Sequence, residues 1–228
     1  TNFSKSILIS NDAGTGTLST ASNNTGLGWE VFDDLTSGDD NVGIGMEALT
    51  TLTTGSGNVA IGRESMEANT TGSSNTAIGT AALAANTTAD YNTAIGRESL
   101  ISNTTGASNV AVGYQSLDAN TTASNNVAVG ASALSANTTG ASNTALGTEA
   151  LAANTTANSN VAIGHDALTV NTTGGSNVAI GTASLEANTT ASNNVAVGTA
   201  ALAANTTGTN NVMVGTSAGD AITTASNN

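Results

Sequence analysis

The sequence contains no cysteine and no proline, and aromatic side chains make up only 2% of its 228 residues. Without cysteine there is no disulfide framework and no thiolate metal site. Basic residues are limited to Lys5, Arg63 and Arg97 against 16 acidic ones, a net charge of −13. A nucleic-acid binder needs a basic footprint, so that class of partner is excluded. No apolar run approaches the ~18 residues of a membrane span, and no signal-peptide pattern opens the chain, so membrane insertion is not expected. Charged residues amount to 8%, far below the roughly one quarter of an ordinary globular domain. Two Phe, two Tyr and one Trp are too few large groups for a conventional core. Yet 38% of the residues are hydrophobic, whereas disorder goes with low hydrophobicity and high charge. The chain reads as ordered and repetitive. It opens at Thr1 rather than Met, as expected of a fragment or a processed product.

What is present is a repeat. An aliphatic-Gly dipeptide ends at Gly28, Gly45, Gly62 and so on to Gly215, twelve marks at a constant interval of 17. With that Gly as position 0, position 13 is Asn in every unit, from Asn24 to Asn211, and position 8 is Thr from Thr36 to Thr223. Position 16 is always Ile, Leu or Val. Position 4 is mostly Leu, replaced by Phe32 and Met66 and broken by Gly219. Position 15 is nearly always Ala, with Gly26, Gly43 and Met213 as exceptions. A fixed length without insertion predicts a solenoid in which each unit sits on the one before. Seventeen residues are too few for a helical pair. They suit an all-β coil, so a β-solenoid (β-roll) of twelve coils is expected over residues 24–228, preceded by an N-terminal lead-in and cap strand over residues 1–23 that includes Phe3, Ile7, Leu8 and Ile9. Asn228 falls at position 13 again, so the array is expected to continue. At ~4.8 Å per strand, twelve coils would make a rod roughly 58 Å long.

Within each unit, Asn-Val-Ala-Ile-Gly alternates with period 2, which predicts a strand. Leu-x-Ala-Asn-Thr-Thr is the candidate second strand, with a helical turn as its alternative. The larger aliphatic side chains at position 16 are expected to fill the coil interior, leaving the Ala column outside against another copy of the chain. Positions 13 and 7 are expected to form asparagine ladders, amides stacked and bonded along the axis. Leu35, Leu52 and Ile222 share position 7 with Asn, which marks that position as interior. A 34-residue superperiod, Gly72, Ala89, Gly106, Ala123 and onward at position 10, reads as duplication of a two-coil unit.

Candidate chemistry is sparse. His165 and Asp166 are the only His–carboxylate neighbours, and they sit at variable surface positions without the nucleophile a triad needs. Asp33, Asp34, Asp39 and Asp40 share one coil, but their spacing is not an EF-hand, and a solvated acidic coil is the expected reading. Nine Asn-Thr-Thr triplets match the glycosylation pattern, yet a buried position 7 would withhold them. Trp29 and Tyr114 are expected to be exposed. No catalytic residue, cofactor site or metal site is assigned, and the chain is not expected to be an enzyme.

Asn92-Thr-Ala-Ile-Gly-Arg-Glu-Ser-Leu-Ile-Ser-Asn-Thr-Thr-Gly106 and Asn109-Val-Ala-Val-Gly-Tyr-Gln-Ser-Leu117 resemble the Asn-Thr-Ala-Ile-Gly-Tyr-Gln-Ala-Leu…Asn-Thr-Thr-Gly arrays of phage tail fibres. The Asn-x-Ala-Ile-Gly core is also similar to the head repeats of trimeric autotransporter adhesins, whose repeat is shorter. The opening Ser6-Ile-Leu-Ile-Ser10…Asn24-Thr-Gly-Leu-Gly28 resembles the lead-in to such blocks in virion proteins. The resemblance implies a homotrimeric structural fibre shaft or spacer on a virion, or an extracellular surface, that serves host attachment. Its implied partners are further copies of itself, other virion or fibre proteins, and a host surface receptor. A bacterial surface adhesin head is the first alternative. An ice-binding solenoid, suggested by the Thr columns at positions 8 and 9, is the second.

Overall fold

In the computed structural model, which describes residues 7–9 and 20–228, the protein is an all-β parallel solenoid of about twelve 17-residue coils, with no helix among the described residues. The chain divides into two units, residues 1–111 and 112–228. In the first unit, β1 (Ile7–Ile9), β2 (Thr25–Leu27), β3 (Val42–Ile44), β4 (Val59–Ile61), β5 (Thr76–Ile78) and β6 (Thr93–Ile95) pair in chain order, all parallel. β7 (Val110–Val112) falls at the division. The second unit holds β8 (Val127–Val129), β9 (Thr144–Leu146), β10 (Val161–Ile163), β11 (Val178–Ile180), β12 (Val195–Val197) and β13 (Val212–Val214), again parallel and in order. Each pairing from β2 onward joins residues 17 apart, Ala162 to Ala179 for example. The lead-in strand β1 pairs with β2 through Ile7 and Thr25. Phe3 lies outside the described residues.

Each coil has one strand of three residues, and the expected second strand is absent among the described residues. Its backbone explains why. Positions 2 and 4 lie in the left-handed region, as at Asp166 (φ 57°) and Leu168 (φ 53°). That conformation costs an L-residue roughly 1–2 kcal/mol and cannot continue as a strand. The column persists because Leu at position 4 is fully buried, and burying a Leu side chain returns about 1.5–3 kcal/mol. A turn therefore follows every strand. At Gly164 the backbone has φ 131°, and a Cβ there would meet the Gly181 backbone at 2.6 Å, so no other residue fits the strand exit.

The structure reverses the expected facing of the strand. The Ala column is the interior: Ala60, Ala94, Ala145, Ala162 and Ala179 have no exposed surface within the single chain. The flanking positions 14 and 16 point outward, and Ile163, expected inside, is half-buried. The Ala column therefore contacts this chain and not another copy. Two natural substitutions show what it faces. Where position 4 is Phe32, position 15 shrinks to Gly43, whose added Cβ would meet Val31 at 2.8 Å and Phe32 at 3.2 Å. Where position 4 is Gly219, position 15 of the preceding coil grows to Met213, whose Cγ lies 2.9 Å from a Cβ placed on Gly219. Positions 4 and 15 share one interior slot of nearly constant volume, as close packing demands.

Several sets of side chains stitch the coils together. At position 13, the Oδ1 of Asn160 accepts the Asn177 backbone N–H at 2.9 Å and the Asn177 side-chain amide at 3.2 Å. The Asn160 amide itself donates to the Gly174 carbonyl at 2.9 Å. At position 7, the Asn137 amide donates to Asn120 Oδ1 at 3.2 Å, and Asn154 donates to Asn137 Oδ1 at 2.9 Å. Both expected ladders are present, and their amides are buried with partners, as buried polar groups require. A third set lies at position 11. The backbone N–H of Ala141 donates to Asn158 Oδ1 at 2.6 Å, and that of Gly175 to Ser192 Oγ at 3.0 Å. The same bond joins Asp39 to Ser56 at 3.0 Å and Ser56 to Ser73 at 3.1 Å, where Gly stands at position 10 in successive coils, so it does not require the 34-residue alternation. One coil of each pair carries Gly at position 10 and a small residue at 11. The next coil carries Ala at 10 and an oxygen-bearing side chain at 11. A Cβ on Gly174 would collide with the Ala191 carbonyl and lie 2.6 Å from Asn171 Oδ1.

Candidate interaction face

The residues that sequence reasoning singled out for chemistry stand apart on exposed turns. His165 Nδ1 lies 2.8 Å from Asp166 Oδ2, with both side chains open to solvent. The pairs Arg63–Glu64 at 3.1 Å and Arg97–Glu98 at 2.7 Å occupy the same two columns. Exposed neighbours of this kind contribute little to stability. Asp39 ties two coils together, since its Oδ1 accepts the Ser22 backbone N–H at 2.7 Å and the Ser22 hydroxyl at 3.0 Å. Asp33 and Asp34 are half-buried and Asp40 is exposed. Among the described residues no three His or acidic groups gather where they could hold a metal ion. Glu67 takes up a proton more readily than usual, first because of burial, then because of Glu64 and Glu47, with Arg63 opposing.

The nine Asn-Thr-Thr triplets have their Asn fully buried, so none presents an amide for glycosylation. The Thr at position 8 turns its hydroxyl to the next coil, as Thr138 Oγ1 does to the Thr155 carbonyl at 3.1 Å and Thr172 to Thr189 at 3.0 Å. Position 9 is exposed, at Thr71 and Thr173 for instance, so the Thr surface is one column wide. Trp29 and Tyr114 are exposed as expected, and Tyr91 more so.

The feature that sequence reasoning missed is the outer side of the strands. Positions 14 and 16 carry Val, Thr, Ile or Leu at every coil and no charge at any. Ile78, Ile95, Val127 and Leu146 are between 36% and 45% exposed, although each is flanked by neighbours in the same column. The signal lay in the compensations at Phe32/Gly43 and Gly219/Met213, which identify position 15 as interior and so turn 14 and 16 outward.

Comparison of the chain with family models, with curated protein sequences and with solved structures returns no match.

Proposed function

We propose that this chain is a structural shaft or spacer segment of a phage tail fibre or similar virion appendage, self-associated as a homotrimer, that holds an attachment module at a fixed distance from the particle. The observation that supports this reading is the recurrence of the same inter-coil bonds at each step. Asn143, Asn160, Asn177 and Asn194 each present Oδ1 to the backbone N–H of the Asn one coil on, at 2.9–3.0 Å. Reach is then set by coil number alone, and each coil supports the next against unfolding. The function is mechanical and uses no catalytic group.

Electron microscopy of particles decorated with an antibody against this segment tests it. Label along the length of an appendage is the expected result. Label confined to a bacterial surface, or absent from every appendage, overturns it and favours the adhesin reading. Thermal hysteresis in solutions of the purified chain would favour the ice-binding reading instead.

A further inference from the structure

We propose that the outward strand face, positions 14 and 16, is the surface on which copies of this chain join. The inference rests on the self-association in the shaft reading, and it adds the face that carries it. Three observations select a second copy as the occupant. The first is charge. The five carboxylates of the second unit are Asp118, Glu149, Asp166, Glu186 and Asp220, and all stand at positions 2 and 5. None falls in the columns from 12 through the strand to 1. Two copies of the second unit repel through their turns but meet without like-charge contact through their strands; in the first unit Asp40 stands at position 12 and Arg63 and Arg97 at position 1. The second is the layout of the face. In the second unit, Val, Ile, Thr144 and Leu146 at its centre are bordered by Ser and Asn at position 12, such as Ser159, Ser176 and Asn193, and at position 1 by Thr148, Thr182, Thr199 and Thr216 with Tyr114, Ala131 and His165. An apolar centre with a mostly polar rim is the composition of a protein–protein interface. The third is spacing. The rows recur at the strand separation of about 4.8 Å, and a second copy has the same rows at the same spacing, so ridges can seat between ridges.

The test uses the full chain. Native mass spectrometry of the unmodified protein should show an oligomer, and Ile180→Lys should reduce it to monomer with an unchanged circular dichroism spectrum. Thr173→Lys, on the exposed column at position 9, should leave the oligomer intact. A second measurement is independent of assembly loss. The chain has no cysteine, so Ile180→Cys and Thr173→Cys each introduce a single thiol. Maleimide should label the thiol at position 180 at least tenfold more slowly in the oligomer than after dilution to monomer, while the thiol at 173 labels alike in both. Equal labelling rates at position 180 in oligomer and monomer, an oligomer that survives Ile180→Lys, or a monomeric unmodified chain would each overturn the proposal. None of these results bears on where an antibody finds the segment on particles, which remains the separate test of the shaft reading.

Discussion

Asparagine enters position 7 in the first unit and leaves it in the second, and the ladder ends at these two places are not equivalent. At the start, Leu52 precedes Asn69. The Asn69 amide donates to the Gly72 carbonyl at 3.0 Å, and its Oδ1 accepts from Asn86 at 2.9 Å, so both ends of the side chain are served. At the stop, Asn205 precedes Ile222. The Asn205 amide reaches Asn188 Oδ1 at 3.3 Å and the Gly208 carbonyl at 3.0 Å, but its own buried Oδ1 has no partner. The ladder is directional because each amide donates toward the N-terminal coil. An apolar residue can precede it without orphaning a polar atom, and cannot follow it so cheaply. The same slot thus tolerates Leu35 and Leu52 on one side and leaves an unsatisfied acceptor on the other. Position 13 admits no such exchange. Its Oδ1 takes a backbone N–H as well as an amide, and every coil keeps Asn there.

The largest effect should come from placing a charge inside the ladder. Asn137→Asp removes the donor that serves Asn120 Oδ1 and the Gly140 carbonyl and sets a carboxylate against both. An uncompensated buried charge costs about 3–5 kcal/mol. Burial should hold the new carboxyl above its ordinary value of about 3.9. A raised folded-state value means that stability is retained below the unfolded value and lost as pH rises through the folded one. Thermal melts should therefore show the variant far less stable than the parent at pH 7 and much closer to it at pH 3. A pH-independent difference would show the slot to be open to water.

Next in size is a contrast between the two asparagine columns. Asn160→Leu takes away the acceptor of the Asn177 backbone N–H and should cost about 3 kcal/mol, the upper end for an orphaned buried group. Asn137→Leu leaves the Gly140 carbonyl with the amide of Asn126 and Asn154 with the Ala157 carbonyl. No backbone group is orphaned, so about 1–2 kcal/mol is expected. Equal losses in denaturant titration would erase the distinction drawn between positions 7 and 13.

Much of this was legible in the residues. The interval of 17 gives the solenoid, and the exchange of Asn with Leu and Ile at position 7 marks an interior column that hydrogen bonds must satisfy. The facing of the strand was not legible by size. Period-2 alternation separates Val161 and Ile163 from Ala162 but does not say which side is inside. The larger residues are the natural core only if the coil is wide. Here Leu at position 4 already fills the slot, so Ala is what fits opposite. The second strand failed for a different reason: nothing in Leu-x-Ala-Asn-Thr-Thr signals left-handed backbone at a Leu, since that conformation is imposed by the packing of position 4.

A smaller effect, and of opposite sign, should follow from mending the ladder's stop. Ile222→Asn offers an amide to Asn205 Oδ1 and should stabilise the second unit by about 1 kcal/mol, the usual worth of one hydrogen bond. Leu52→Asn offers only one more acceptor to an Asn69 amide already bonded, in exchange for a buried Leu, and should be neutral or worse. If both variants shift the melting temperature alike, the ladder has no direction.

The smallest expected effect lies on the surface of the coil where the ladder begins. Glu67 shares that coil with Asn69, and its carboxyl is raised above the ordinary 4.5, by burial first and then by Glu64 and Glu47, against the pull of Arg63. Because the folded chain holds this proton more tightly than the unfolded one, its contribution is fully present below pH 4.5 and fades as pH rises through the folded value. Glu67→Gln removes the charge at neutral pH, and with it the repulsion from Glu64 and Glu47. Solvent screening at this exposed position limits the gain to a few tenths of a kcal/mol. The variant should therefore melt slightly above the parent at pH 7 and together with it at pH 4. The gap at pH 7 should narrow in high salt, since the repulsion from Glu64 and Glu47 is screened by ions. A variant less stable than the parent at pH 7 would mean instead that the pull of Arg63 outweighs the two carboxylates, and the first unit would then owe part of its stability to that one cation.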